Sequence, residues 1–207
     1  DNNEYATKTF AHNFRKATVL CTDITSIANE QIIDKYRNVD IIVGGPPCQG
    51  FSMAGARIRN GAFLDDPRNY LFKHYVNIVK IVRPRMFILE NVKGILTMQK
   101  GEIFNEILKT FSDKTLFDGD KYYLHYKVVR AVEFGIPQKR ERVVLIGMLN
   151  TDFDIDVMFE EVKKQILHHK QRERFCYMQT PGLFEHFNTV FGIENHLLYT
   201  ALYPEEL

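Results

Sequence analysis

Cys48 stands in Gly44-Gly45-Pro46-Pro47-Cys48-Gln49-Gly50-Phe51-Ser52, a setting that suits a nucleophile. Two prolines fix φ and remove N–H donors on one side of the thiol, and Gly44, Gly45 and Gly50 permit close approach and unusual dihedrals. Val39-Asp40-Ile41-Ile42-Val43 comes just before. Its largely apolar, β-branched run predicts a strand buried on both faces, so the thiol is delivered at a strand's carboxyl end, where open α/β sheets place their chemistry. A lone cysteine in an intracellular protein is more often a small core hydrophobe. The flanking Pro-Pro and Gln-Gly-Phe-Ser weigh against that role here.

Glu90 is the second candidate. It ends an apolar strand over 86–89 and is followed by Asn91 and Val92, which puts it in the same layer as Cys48. A partly buried carboxyl has its pKa raised, and one that keeps its proton can donate a hydrogen bond to a ring nitrogen. A solvated strand-end acid, or a cap for a following helix, is the competing role, and nearness to the cysteine turn favours the pocket. The third candidate is Gln138-Lys139-Arg140-Glu141-Arg142. If extended, it points Gln138, Arg140 and Arg142 to one face. Arginine's planar fork suits phosphate oxygens and base carbonyls, although a solvated charged turn is the commoner fate of such runs. Arg57, Arg59 and Arg68, and the basic stretch 163–174, are weaker groups of the same kind. His168 and His169 lack a partner set for a metal and are read as surface residues.

The elements that must position these residues follow from periodicity. Tyr5, Phe10 and Phe14 have roughly helical spacing, and 17–20 predicts a short buried strand. Ser26 and Asn29 are possible caps for a short segment through Tyr36. Residues 53–67, rich in Gly, Arg and Asn, predict a long irregular loop. Leu71, Tyr75, Ile78, Val79 and Val82 mark an amphipathic helix that stops before Arg83-Pro84. Ile103, Phe104, Ile107, Leu108 and Phe111 mark another. Residues 122–132 suit a strand or hairpin arm and 143–147 a compact strand, with a charged helix over 159–170. The alternation up to residue 149 argues for a parallel sheet covered by helices.

The chain has 207 residues, a net charge of +1 and three cysteines. That length supports a proper core without disulfides. Cys21, Cys48 and Cys176 are odd in number and show no metal-ligand spacing, which points to a reducing compartment, cytoplasm or nucleus, and to no structural zinc. No apolar run reaches the ~20 residues of a spanning helix, and the polar start is no signal peptide. So near-neutral a total neither demands nor excludes nucleic acid, because local clustering decides phosphate binding.

Taken together, residues 44–52, Glu90-Asn91-Val92 and Gln138-x-Arg140-x-Arg142 resemble, in order, the nucleophile, acid and basic motifs of the cytosine-C5 DNA methyltransferases. The resemblance covers residues 1–149. It implies an α/β, Rossmann-like mixed sheet with helices on both faces that binds S-adenosylmethionine, with 150–207 as a partial target-recognition region. It implies catalytic roles for Cys48, Glu90, Arg140 and Arg142, and double-stranded DNA as partner, with contacts at Gln49, Ser52, Gln138 and Arg140. For the cofactor it implies Asp23-Ile24 at the adenine, Asp1 at the ribose, and Pro46 and Leu71 lining the pocket. In that family Cys48 would add to C6 of a flipped-out cytosine without any metal, while Glu90 meets N3 and Arg142 meets O2.

The family's Phe-x-Gly-x-Gly cofactor loop, Arg-rich closing motif and final helix have no counterpart in the sequence. The expectation is therefore an interior fragment, or one part of a split enzyme whose second subunit or missing segments supply the cofactor loop. Three other functions stand beside this one. A tRNA cytosine-C5 methyltransferase would show Pro-Pro-Cys-Gln-Pro-Phe-Thr, but Gly50 and Ser52 stand here. A non-catalytic DNA-binding subunit is motivated by the absent cofactor loop. A cysteine hydrolase lacks a histidine partner in any motif.

Overall fold

The computed structural model describes residues 1–47, 70–136, 138–172 and 197–200. Cys48, Gln49, Ser52, the basic group Arg57, Arg59 and Arg68, and Cys176 lie outside the described residues. Helix α1 (Glu4–Asn13) opens the chain, with Asn3 capping it through its side-chain oxygen. A 3-10 turn (Ile24–Ser26) and helix α2 (Asn29–Tyr36) lead to strand β1 (Ile41–Gly44). Helix α3 (Tyr70–Val82), strand β2 (Met86–Val92), helix α4 (Glu102–Ser112), strands β3 (Tyr122–Arg130) and β4 (Glu141–Leu149), helix α5 (Ile155–Arg172) and strand β5 (Leu197–Thr200) follow.

The strands form one sheet in the order β3-β4-β2-β1-β5. β1 runs parallel to β2 and β5, whereas β4 is antiparallel to both β2 and β3. Strand–helix alternation alone predicted parallel pairing throughout. That holds for β1 and β2, which a helix connects, and fails for β3 and β4. These two are joined only by the Ala131–Phe134 turn and the short segment after it, too short for a parallel crossover. The mixed sheet implied by the resemblance is the one observed.

Each face of the sheet carries a helical layer. Phe87, Leu89, Val143 and Leu145 pack under α3 and α4 against Phe72, Tyr75, Val79, Ile107 and Phe111. On the other face Ile41, Met86, Ile146 and Met148 meet Ile155 and Met158 of α5. Burying each such side chain favours folding by about 1.5–3 kcal/mol. The packed unit therefore runs past residue 149, because α5 supplies the second face and β5 joins the sheet beside β1.

Local chemistry explains several ends. α3 stops where Arg83 turns left-handed, with φ 51°, ahead of Pro84. Tyr75 and Tyr122 are fully buried, but their hydroxyls donate to the carbonyls of Ile88 (3.0 Å) and Pro84 (2.8 Å), so neither burial leaves a lone polar group. Two expectations are corrected. Residues 17–20 form no strand: Leu20 is exposed, and the neighbouring backbone bond runs from Thr22 N–H to the Asp1 carbonyl rather than to a ladder. Nor do Ser26 and Asn29 cap α2. Asn29 is its first residue, Ala28 holds the cap position without a side-chain bond, and the Ser26 hydroxyl donates to the Asp23 carbonyl. Among the described residues, no helix is long and apolar enough to cross a membrane.

Candidate active site

The site forms where β1, β2 and β4 end together. The parallel register pairs Gly44 with Leu89, so Gly45 and Glu90 are the next residues beyond the last paired positions. In the antiparallel seam Glu90 faces Val144 and Val92 faces Arg142. Side chains two apart on a strand share a face, so Glu90 and Arg142 are diagonal neighbours on one side of the sheet. Arg142 Nε lies 2.7 Å from Glu90 Oε1, while Arg142 Nη1 donates to the Glu141 carbonyl at 2.8 Å. Two edges of one guanidinium are thereby fixed. The Glu90 side chain remains 44% exposed and that of Arg142 25%. A pair so open to water contributes at most about 1 kcal/mol to stability. Its significance is orientation: a carboxyl and a planar fork are held side by side and open to a ligand.

The second Glu90 oxygen lies against Gly45, where an added Cβ would stand 3.0 Å away. Gly45 is not among the residues with positive φ, so glycine serves there for space rather than for an unusual dihedral. Asn91 points to the opposite face and is 7% exposed. Its Nδ2 donates to the Pro46 carbonyl at 3.0 Å and its Oδ1 accepts from Val92 N–H at 2.8 Å. Beside the site, Lys93 Nζ meets Glu141 Oε2 at 2.9 Å.

Of the expected polar face over 138–142, Arg142 lies beside Glu90. β4 begins at Glu141, while Gln138 and Arg140 are exposed ahead of it; the Arg140 carbonyl accepts from Ala131 N–H at 2.9 Å. Arg142, inside the strand, joins Glu90. The role of Asn91 was missed by sequence reasoning. The available signal was its position inside a named motif, but the contact with Pro46 depends on which strands are neighbours.

Of the residues expected at a cofactor, Asp1 and Asp23 are brought near one another through the chain beside them. Thr22 N–H donates to the Asp1 carbonyl at 2.9 Å, joining the first residues to the segment before Asp23. Asp1 Oδ1 accepts from Asn3 N–H and Asp23 Oδ1 from Thr25 N–H, both at 2.8 Å. The Thr25 backbone bond is the main cause of a lowered Asp23 pKa, helped by the Thr25 hydroxyl and, more weakly, by charge on His74 of α3. Ile24 is half-buried against the α3–α4 core, Leu71 is half-buried in the first turn of α3, and Pro46 is buried. Two carboxylates, each with one oxygen held by a backbone N–H, beside half-buried aliphatic side chains, fit a nucleoside: acceptors for hydroxyl and amine, and an apolar surface for a ring.

Residues 1–196 match the family model described as C-5 cytosine-specific DNA methylase. The chain is 41% identical over 141 residues to Type II methyltransferase M1.HphI of Haemophilus parahaemolyticus, covering 67% of this chain and 36% of that protein. It is 37% identical over 141 residues to M.AquIA of Picosynechococcus, covering 65% of this chain and 55% of the relative. The chain thus spans a third to about half the length of these relatives. Among solved structures, a DNA modification methyltransferase encoded within an E. coli prophage aligns with a TM-score of 0.57 at 30% identity, over 76% of this chain and 42% of that one. The S. pombe Dnmt2 methyltransferase, at 22% identity and a TM-score of 0.54 over 78% of this chain and 44% of that one, shares the fold. The chain belongs to the C-5 cytosine-specific DNA methylase family.

Proposed function

We propose that the protein transfers a methyl group from S-adenosylmethionine to C5 of cytosine in double-stranded DNA, with Cys48 as the nucleophile. The observation that carries this reading is the Glu90–Arg142 pair, held at 2.7 Å beside Gly45 at the end of the strand leading to Cys48. C5 of cytosine is a poor nucleophile. Addition of the Cys48 thiolate to C6 breaks the C5–C6 double bond and moves electron density onto the ring. Protonated Glu90, hydrogen-bonding to N3, and Arg142, donating to O2, stabilise that density where it develops. C5 becomes a carbon nucleophile that takes the methyl group, leaving S-adenosylhomocysteine, and a base then removes the C5 proton, so that the C6–S bond breaks, the thiolate is expelled and the ring is restored. A base inside a duplex is out of reach, so it is flipped out at a cost of roughly a few kcal/mol.

When bound, S-adenosylmethionine supplies the methyl group as a sulfonium. Asp1 and Asp23 would take its ribose and adenine amine, with Ile24, Pro46 and Leu71 against the rings. Arg140 and Gln138, both exposed, would meet DNA phosphates and base edges, and Gln49 and Ser52 are assigned to the same DNA surface from the sequence. The test is covalent trapping on DNA containing 5-fluorocytosine, where the fluorine cannot leave as a proton does. The native protein is expected to form a stable adduct and Cys48→Ser none; an adduct that survives the substitution refutes the reading.

A further inference from the structure

We infer that Asn91 is a positioning residue for the nucleophile: its buried amide replaces the backbone ladder where Pro46 and Pro47 end it, setting the direction in which the chain leaves β1 toward Cys48. This rests on Cys48 being the nucleophile, as proposed above.

The pairing of β1 with β2 ends at Gly44 and Leu89. It cannot continue by the usual means, because neither proline has an N–H to give. The Pro46 carbonyl would then be a buried acceptor with no ladder partner. Asn91 Nδ2 donates to it at 3.0 Å. The other end of the same amide is held as well, since Asn91 Oδ1 accepts from Val92 N–H at 2.8 Å. One planar group thus bridges a strand and its neighbour's exit, two residues before the thiol in sequence.

Burying an amide at 7% exposure gains less than burying an aliphatic side chain of that size, and it is tolerable only because its hydrogen bonds are made. Geometry is what the amide adds. Strand alternation sends Glu90 and Asn91 to opposite faces, so one dipeptide serves two purposes: Glu90 pairs with Arg142 on the open side and Asn91 holds Pro46 on the core side. The segment leading toward Cys48 is thereby tied, at Pro46, to the strand that carries the acid. Misplacement of reacting groups by about 1 Å can cost on the order of a hundredfold in rate.

The experiment uses the full chain with Asn91→Asp, Asn91→Ala and Cys48→Ser. Single-turnover trapping on 5-fluorocytosine DNA, steady-state kcat and KM, and melting temperature are measured for each. Asn91→Asp keeps the acceptor for Val92 and loses the donor for Pro46. Its trapping rate and kcat are expected to fall about tenfold or more, with KM for DNA and for S-adenosylmethionine within about twofold. Relative to the native protein it should recover as pH is lowered, because a protonated carboxyl donates again. A structural role alone would lower the melting temperature without that pH-dependent recovery. Asn91→Ala should show the same kinetic loss without recovery, and it carries the test should the aspartate variant not fold. Unchanged trapping rates in folded Asn91 variants, with no adduct in Cys48→Ser, overturn the inference alone. An adduct in Cys48→Ser overturns the nucleophile assignment and this inference with it.

Discussion

A Cβ on Gly45 would stand 3.0 Å from Glu90 Oε2 and 3.5 Å from the Glu90 carbonyl oxygen. The carboxylate cannot simply swing away, because Arg142 Nε holds its other oxygen at 2.7 Å. Gly45→Ala should therefore leave the fold intact while displacing the acid by a few tenths of an ångström. The expected result is a melting temperature within a few degrees of native and a kcat about tenfold lower, with DNA affinity little changed. Methyl-transfer kinetics beside a thermal melt check it.

Gly147 lies on β4 opposite Phe87, and an added Cβ would occupy the space of the Phe87 ring. That ring is fully buried, 4.3 Å from Phe111 and 5.0 Å from Tyr122 between centroids, so it has nowhere to go. Gly147→Ala is expected to destabilise by about 1–3 kcal/mol, or roughly 2–4 °C of melting temperature per kcal/mol for a chain of this size. Adding Phe87→Leu should recover part of the loss. Simple additivity of the two substitutions in calorimetry would contradict the contact.

Burial pushes the phenols of Tyr75 and Tyr122 upward, desolvation being the main cause for both. The sign follows from linkage. Below a free phenol's pKa near 10 both states keep the proton, and the stabilisation is fully present. Above it the unfolded chain ionises while the folded chain does not, so each tyrosine costs about 1.4 kcal/mol of stability per pH unit until its folded pKa is reached. Denaturant melts from pH 8 to 11 should show a falling midpoint above pH 10. Tyr122→Phe should be less stable at pH 8, having left the Pro84 carbonyl without its donor, yet show a shallower alkaline decline.

How much of this was legible in the sequence depended on the range of the interaction. The stripes of α3 and α4, and the strands carrying Glu90 and Arg142, could be read because burial repeats with the element's own period. Residues 17–20 have an apolar character that suits a strand, but a strand also needs a partner, and none is recorded in any sequence window. The direction of β4 was hidden from strand–helix alternation for the same reason. β5, at four residues, is too short to show a period. Within the site, the types of Glu90 and Arg142 announced their chemistry, whereas the bond from Asn91 to Pro46 required knowing that β1 and β2 are neighbours. Gln138 and Arg140 precede β4, which begins at Glu141, so strand periodicity alone does not carry their placement.

The Glu90–Arg142 pair is set by the β2–β4 register rather than by the chain connecting the two strands. Everything between Lys93 and Arg140 can then lengthen, shorten or change composition at its turns without altering the distance between acid and guanidinium. A one-residue slip of the seam, by contrast, would abolish it. This separates the parts of the molecule open to evolutionary or laboratory variation from those that are not. Peptide insertions at the exposed turn of Asp118 and Gly119 should be accepted far more readily than a single added residue within either strand.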